Sequence, residues 1–325
     1  MHDAVTSFEV FAHASLPAYG LDPNAEVTLL NVSENGTFRV DDPVQGRSVL
    51  RVHRTGYHSQ EAILSELDWI AALREDGIVS TPAFMPALDG QRVVTARTPD
   101  GGERHVVRFA WVDGVEPTED RLAQDFEELG AITARLHIHS KAWTRPAEFT
   151  RFVWDYDTSI GDHGHWGRWQ EGLGIGPAET AILDRCSTRI RERLAAYGKG
   201  PERFGLVHAD MRLANLLVNG PAVNVIDFDD CGLSWFMYDL GSSLSFIEHE
   251  PYVPELVDAW VQGYRSVSPM SAEEEAELPT FIMLRRMLLV AWVGSHAATD
   301  TAQQMGPEYG VTSCRLAEEY LSRMS

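Results

Sequence analysis

Two short apolar runs, each ending in a cluster of hydrogen-bonding side chains, place the tightest limits on this chain. Leu206-Val207 opens onto His208-Ala209-Asp210, and Asn215 follows five residues after Asp210. Val223–Ile226 then opens onto Asp227-Phe228-Asp229-Asp230. Apolar runs this short, bounded by polar residues, read as strands whose polar ends lie on loops. Structural aspartates in two β-turns are the competing reading. The joint spacing of His208, Asp210, Asn215 and Asp227 in this strand-loop setting argues against it.

Composition narrows the class. The 325 residues suffice for two domains or lobes, each with its own core. A formal net charge of -21 argues against nucleic acid or an anionic membrane as partner, since both call for basic surface. It fits a cationic or zwitterionic substrate. Cys186, Cys231 and Cys314 are widely spaced and odd in number, which suggests neither a metal site nor a disulfide framework but a reducing compartment. The N-terminus lacks a basic region and carries Asp3 and Glu9, so no signal peptide is expected. Phe281–Val293 is the most apolar run. Arg285 and Arg286 interrupt it, and it reads as a buried core helix rather than a membrane span.

Taken in order, residues 3–18 have the pattern of a short amphipathic helix. Glu26–Val32, Thr37–Val40 and Ser48–His53 read as strands, joined by Ser33-Glu34-Asn35-Gly36 and by a turn at Asp42–Gly46. Alternation sets Arg51 on the face opposite Leu50 and Val52. A helix is expected over Ser59–Glu75, with Ser59 as N-cap and Gly77 beyond its end. Ile63, Leu67, Ile70 and Ala71 form its apolar stripe; Glu66 falls within the stripe, whereas Glu61 points away. An inward carboxylate needs a cation, and Arg51 would supply one. Pro82 and Pro86 flank a short extended piece. Strands Arg92–Arg97 and Arg104–Trp111 follow, making about five antiparallel strands before Gly114 and Pro117 end the pattern.

From Glu119 the chain turns helical. Helices are expected to about Ser140, over Pro177–Tyr197, Val253–Tyr264, Ser271–Gly294 and Cys314–Met324. Ser271 and Glu274 have capping-box spacing, and Pro279 is expected to divide the helix they open. His137 and His139 suit the negative end of the first helix. Phe152–Trp169 is irregular, and its Trp154, Tyr156, Trp166 and Trp169 are read as walls of a substrate pocket, with simple core packing as the competing reading. His163 and His165 lack a third metal ligand. Gly172–Pro177 follows no strand and Lys199 is followed by Gly200, so neither a dinucleotide loop nor a Walker A loop is present.

His208, Asp210 and Asn215 followed by Asp227-Phe228 resemble the catalytic loop and metal-binding segment of protein-kinase-like phosphotransferases. Asp-Phe-Asp-Asp at 227–230, the lack of an Ala-Pro-Glu segment, and Tyr238-Asp239-Leu240 make the chain similar to the aminoglycoside phosphotransferase, choline kinase and type II homoserine kinase group. The likeness covers most of residues 25–300. It departs at Ala209, where Gly is common, and at Arg212, where the family often has His. It implies an α+β, bilobal protein-kinase-like fold. A small antiparallel β lobe with one helix would span 1–111, a larger mainly helical lobe 112–325, and the hinge about 109–117.

The same resemblance assigns roles. ATP and Mg2+ would be the cofactors. Asp210 would orient the acceptor hydroxyl and take its proton late in transfer, while Asn215 and Asp227 would ligate Mg2+ through hard oxygens. Arg51, paired with Glu66, would hold the α- and β-phosphates, because the only lysines, Lys141 and Lys199, lie far downstream. Asn35 lies in the turn that would cover the phosphates, and backbone groups from Phe109 through Trp111 to Val112 would bond adenine. Arg212 and Asp229 are candidate substrate contacts, Asp229 also a candidate metal contact, and Asp239 a structural support for the catalytic loop. The implied reaction moves the γ-phosphoryl group of ATP to a hydroxyl of a small molecule: an amino alcohol, hydroxy amino acid, aminoglycoside or sugar. A cytoplasmic location is expected. The acidic charge favours a cationic acceptor, whereas Arg212 favours an anionic one. A protein Ser/Thr kinase on the same fold and a non-catalytic nucleotide-binding module remain open as alternatives.

Overall fold

The computed structural model describes residues 2–118, 121–220 and 222–324. The chain forms two compact units that interleave along the sequence. The first comprises Met1–Val115, Arg145–Arg151 and Leu217–Asp229; the second comprises Glu116–Thr144, Phe152–Leu216 and Asp230–Ser325.

In the first unit, α1 (His2–Ser15) precedes a meander of β1 (Glu26–Val32), β2 (Gly36–Asp42) and β3 (Gly46–Val52). Then come α2 (Gln60–Glu75), β4 (Phe84–Met85), β5 (Val94–Arg97) and β6 (Glu103–Ala110). Among the described residues the sheet has six strands in the order β1-β2-β3-β6-β4, with β5 also paired to β6, and these pairings are antiparallel. The extra strand relative to the sequence reading is β4, the short piece between Pro82 and Pro86. Alternating burial along β2 sends Phe38 and Val40 into a core with Leu50, Val52 and Val106, which Phe11, Leu16 and Tyr19 cover. Arg51 stands between Thr37 and Val107 in the sheet, on the face away from that core. The Ala62 N–H donates to the Ser59 hydroxyl to cap α2, and Gly77 beyond it takes a φ of +64° that glycine adopts without strain.

The rest of the chain supplies α3 (Leu122–Ala142), β7 (Phe152–Val153), α4 (Tyr156–Ser159), α5 (Pro177–Tyr197) and β8 (Phe204–Val207). Next come β9 (Leu216–Asn219), β10 (Ala222–Val225), β11 (Gly232–Trp235) and α6 (Tyr238–Ser243), then α7 (Val253–Val267), α8 (Ala272–Ser295), α9 (Asp300–Met305) and α10 (Glu308–Arg323). Glu119, the expected start of α3, lies outside the described residues. Bridges Val115–Val218 and Ser80–Asn224 hold the β9–β10 hairpin in the first unit. In the second unit β11 runs parallel to β7 and antiparallel to β8.

Close helix packing builds the second core. A Cβ on Gly263 of α7 would fall 1.8 Å from the Glu127 carbonyl oxygen of α3, and one on Gly130 would fall 2.1 Å from that of Trp260. Two glycines therefore permit a backbone-to-backbone crossing that no other residue fits. Pro279 does not divide α8, which runs unbroken through it. The carbonyl that loses its partner there belongs to exposed Glu275, where water can serve it. α8 is long and apolar enough to cross a membrane, but 78% of its apolar window is buried inside the protein. It is a core helix.

Candidate active site

In the first unit the chemistry gathers on Arg51. Its Nη2 donates to both Glu66 oxygens, at 2.8 and 2.6 Å, and both side chains are buried. Burial works to raise the Glu66 pKa, but a two-oxygen contact this short keeps the carboxylate ionised. Strand alternation and helix spacing aim these two residues at one another; exposed Glu61 takes no part. Arg51 Nη1 lies 3.7 Å from Asp227 Oδ1, its Nη2 lies 3.8 Å from Asp229 Oδ1, and Cζ stands 5.2 Å from the Phe109 ring centre. Asp227, whose side chain is 47% exposed, follows β10 with a φ of +61°, a costly conformation for a residue with a Cβ.

Asp229 differs from its neighbour Asp227 in being buried. Its Oδ2 accepts from Asn35 Nδ2 at 2.7 Å, and its backbone oxygen accepts from His58 Nε2 at 2.8 Å and from Arg151 Nη2. Burial alone would raise its pKa, yet Arg51, His58, His53 and Arg151 together hold it well below the usual carboxylate range. Burial and the nearby guanidiniums likewise push His58 down to about 4 and His53 well below its ordinary value. Asn35 is committed within this unit, because Nδ2 serves Asp229 and Oδ1 accepts the Arg54 N–H at 3.1 Å. Trp111 lies just past β6, its Nε1 donating to Asp113 at 2.7 Å and Arg47 covering its ring.

In the second unit the chemistry gathers on Asp210. Arg285 Nη2 donates to its Oδ1 at 2.7 Å, and Arg212 Nε lies 3.1 Å from both oxygens. Asn215 Nδ2 donates to Asp210 Oδ2 at 2.9 Å and to its backbone oxygen at 2.7 Å, which leaves the amide oxygen as the end of Asn215 that can serve a cation. Burial would raise the Asp210 pKa, but the two guanidiniums outweigh it and hold the group below its ordinary value. The side chain is therefore an ionised hydrogen-bond acceptor of fixed direction and a weak base. Arg285 is buried and fully committed: Nε to Ser245, Nη1 to the Ala209 carbonyl and Tyr238, Nη2 to Asp210. Arg212 is one-third exposed, and neither Nη has a protein partner among the described residues.

Asp239 holds the loop that carries Asp210. Its Oδ1 accepts the Ala209 N–H at 2.8 Å, and its Oδ2 accepts the His208 N–H at 3.3 Å and faces His137 Nε2 at 3.0 Å. Ala209 sits at φ +67°, which explains why glycine suits this position and why the loop needs such anchoring. His137 is thus a buried tie between α3 and α6, with its other ring nitrogen 3.1 Å from the Tyr264 hydroxyl, and not a residue placed for the helix dipole.

The reading of the aromatic stretch needs correction. Trp154, Trp166 and Trp169 are 1%, 5% and 2% exposed, so they fill the core rather than wall an open pocket. His163 pairs with Asp157 and His165 stacks on Phe152 at 4.2 Å, each ring spoken for by its surroundings. Reading by sequence missed Arg285, His53, His58 and Arg151. The signal for Arg285 was present, since an arginine inside an apolar core helix must have a buried partner.

Comparison with known proteins fits this arrangement. The model of a family described as the phosphotransferase enzyme family matches residues 26–277. A microcompartment-associated aminopropanol kinase of known structure is 49% identical, with 96% of this chain and 97% of that chain covered and a TM-score of 0.90. Amicoumacin kinase from Bacillus subtilis (strain 168) is 24% identical over 253 residues, 74% of this chain and 72% of that protein. An amicoumacin kinase structure with AMP-PNP and Ca2+ shares the fold at a TM-score of 0.78 and 24% identity, covering 98% of this chain and 96% of that one. The chain belongs to the phosphotransferase enzyme family and is an ATP-dependent kinase of small-molecule hydroxyl groups.

Proposed function

We propose that the acceptor is a small amino alcohol and that Asp210 receives its hydroxyl. The observation that carries this reading is the Asp210 carboxylate itself, ionised and fixed in direction by Arg285, Arg212 and Asn215. As the new O–P bond forms and the bond from the γ-phosphorus to the bridging oxygen breaks, the hydroxyl proton passes late to Asp210. In a loose transition state orientation matters more than basicity, which suits a carboxylate of lowered pKa. Asp227 and the free oxygen of Asn215 are hard ligands suited to Mg2+, whose charge would neutralise the β- and γ-phosphates. Arg51, braced by Glu66, would hold the phosphates, and the backbone from Phe109 to Val112 the adenine. Arg212 is assigned to the substrate side, because its Nη pair is uncommitted. The likeness to the aminopropanol kinase supports an amino alcohol as acceptor, and the net charge of -21 is compatible with a cationic one. Dependence on ATP and three buried cysteine thiols favour a cytoplasmic location.

The test is ATP consumption by the full chain with aminopropanol, ethanolamine, choline, homoserine and an aminoglycoside, each as the acceptor. The expected result is the highest kcat/KM with an amino alcohol. Preference for homoserine or for the aminoglycoside would overturn the assignment.

A further inference from the structure

A lysine in a kinase small lobe is a point charge on a flexible stem, but Arg51 is a rigid planar fork that must be aimed. The surroundings of Arg51 hold it on three sides. Glu66 takes Nη2 with both oxygens. Phe109 lies against the face. On the third side, Nε donates to His53 Nε2 at 3.4 Å. That donation fixes the tautomer: a neutral His53 that accepts at Nε2 carries its proton on Nδ1. His53 Nδ1 faces Asp229 Oδ1 at 3.6 Å, and neither atom has a hydrogen-bond partner among the described residues, although both side chains are more than nine-tenths buried. Two buried groups of opposite need thus oppose each other across a distance slightly longer than a hydrogen bond. Asp229 cannot swing away, because Asn35 grips its other oxygen and His58 and Arg151 grip its backbone.

From this geometry we infer that Asp229 and His53 are positioning residues, a relay in which Asp229 orients His53 and His53 orients the Arg51 guanidinium. The relay turns Nη1 towards the exposed Asp227 carboxylate, where a metal-bound phosphate would be met, and keeps Nη2 on Glu66. Asp229 then contacts neither metal nor substrate. Its work is to make an arginine serve where a lysine would need no such aiming. This inference rests on the reading of Arg51 as the phosphate-binding cation.

The measurement is affinity for AMP-PNP with Mg2+, by calorimetry on the full chain, together with kcat and KM for ATP. Asp229→Asn and His53→Ala are expected to weaken AMP-PNP binding roughly tenfold while kcat at saturating ATP changes little, the scale seen when a ligand's orienting partner is removed. In an Arg51→Lys background the same substitutions should change affinity less than about twofold, because a point charge does not need aiming. Equal losses in both backgrounds would reduce the relay to plain structural support and overturn the inference. So would a fall in kcat with affinity intact. Should Asp229→Asn fail to fold, His53→Asn carries the same comparison, since it leaves Asp229 with Asn35 and His58. Arg51→Ala separates the two levels: unchanged AMP-PNP affinity there would refute the reading of Arg51 itself.

Discussion

The two charged centres of this kinase are inverses of each other. Around Arg51 one guanidinium is faced by three carboxylates, those of Glu66, Asp227 and Asp229. Around Asp210 one carboxylate is faced by two guanidiniums, Arg212 and Arg285. In each centre the outnumbered charge is the one assigned to act, and the surplus fixes both its ionisation and its direction. The difference lies in what remains open. At Arg51 the exposed member is the carboxylate Asp227, a place for a cation. At Asp210 it is Arg212, a place for an anion.

Breaking the acid-centred side should have the largest effect. Asp210→Asn keeps the shape but loses the charge, and kcat should fall roughly 10³-fold with AMP-PNP affinity nearly unchanged. Turnover within tenfold of the parent would remove Asp210 from the mechanism. Arg285→Met comes next. It strands a mostly buried carboxylate, the side chain of Asp210 being 13% exposed, and should cost about 3 kcal/mol of stability in denaturant titrations, with kcat also reduced. Loss of stability without loss of kcat would show that Arg212 and Asn215 suffice to aim Asp210.

On the cation-centred side Glu66→Gln should raise the KM for ATP about tenfold and cost roughly 2 kcal/mol, less than its burial suggests, because Asp227 and Asp229 still face Arg51. The most gradual effect, small over any single pH unit, is on pH. His58 is held neutral in the folded chain, with its pKa down at about 4, whereas the unfolded chain takes up the proton near 6.5. The unfolded state therefore binds more protons between these values, and stability should decline as pH falls from 6.5 towards 4, by about 1 kcal/mol per unit. His58→Gln should lessen that slope in melting curves recorded at several pH values, with buried His53 supplying the part that remains. An unchanged slope would assign it to other groups. Asp210, with its pKa lowered, should add no loss of kcat above the ordinary carboxylate range.

Much of this was legible because the relevant contacts repeat or lie close along the chain. The period of two in β3 and of three to four in α2 fixes which faces Arg51 and Glu66 present, and five residues separate Asp210 from Asn215. The family model matches most of the chain, in keeping with the resemblance read from the central motif. Local pattern does not reveal partners brought from a distance. Arg285 reaches Asp210 across 75 residues and Arg151 reaches Asp229 across 78, and neither separation has a period. The tryptophans of 154–169 were misjudged because aromatic content does not distinguish a pocket wall from a core, and Pro279 because a lost helix bond costs little where water replaces it. The fold units likewise interleave through 145–151 and 217–229, returns that no single composition boundary reveals.

Asp239 carries a consequence for motion. One buried carboxylate receives the amides of His208 and Ala209 and a ring nitrogen of His137, so the loop bearing Asp210 is stitched to the first turn of α6 and to α3. That loop cannot open as a flap without dismantling the second core. Amide exchange at His208 and Ala209 should therefore be as slow as in the middle of α3, on the timescale of global unfolding. Whatever gates turnover in this enzyme moves elsewhere, around a catalytic carboxylate that stays still.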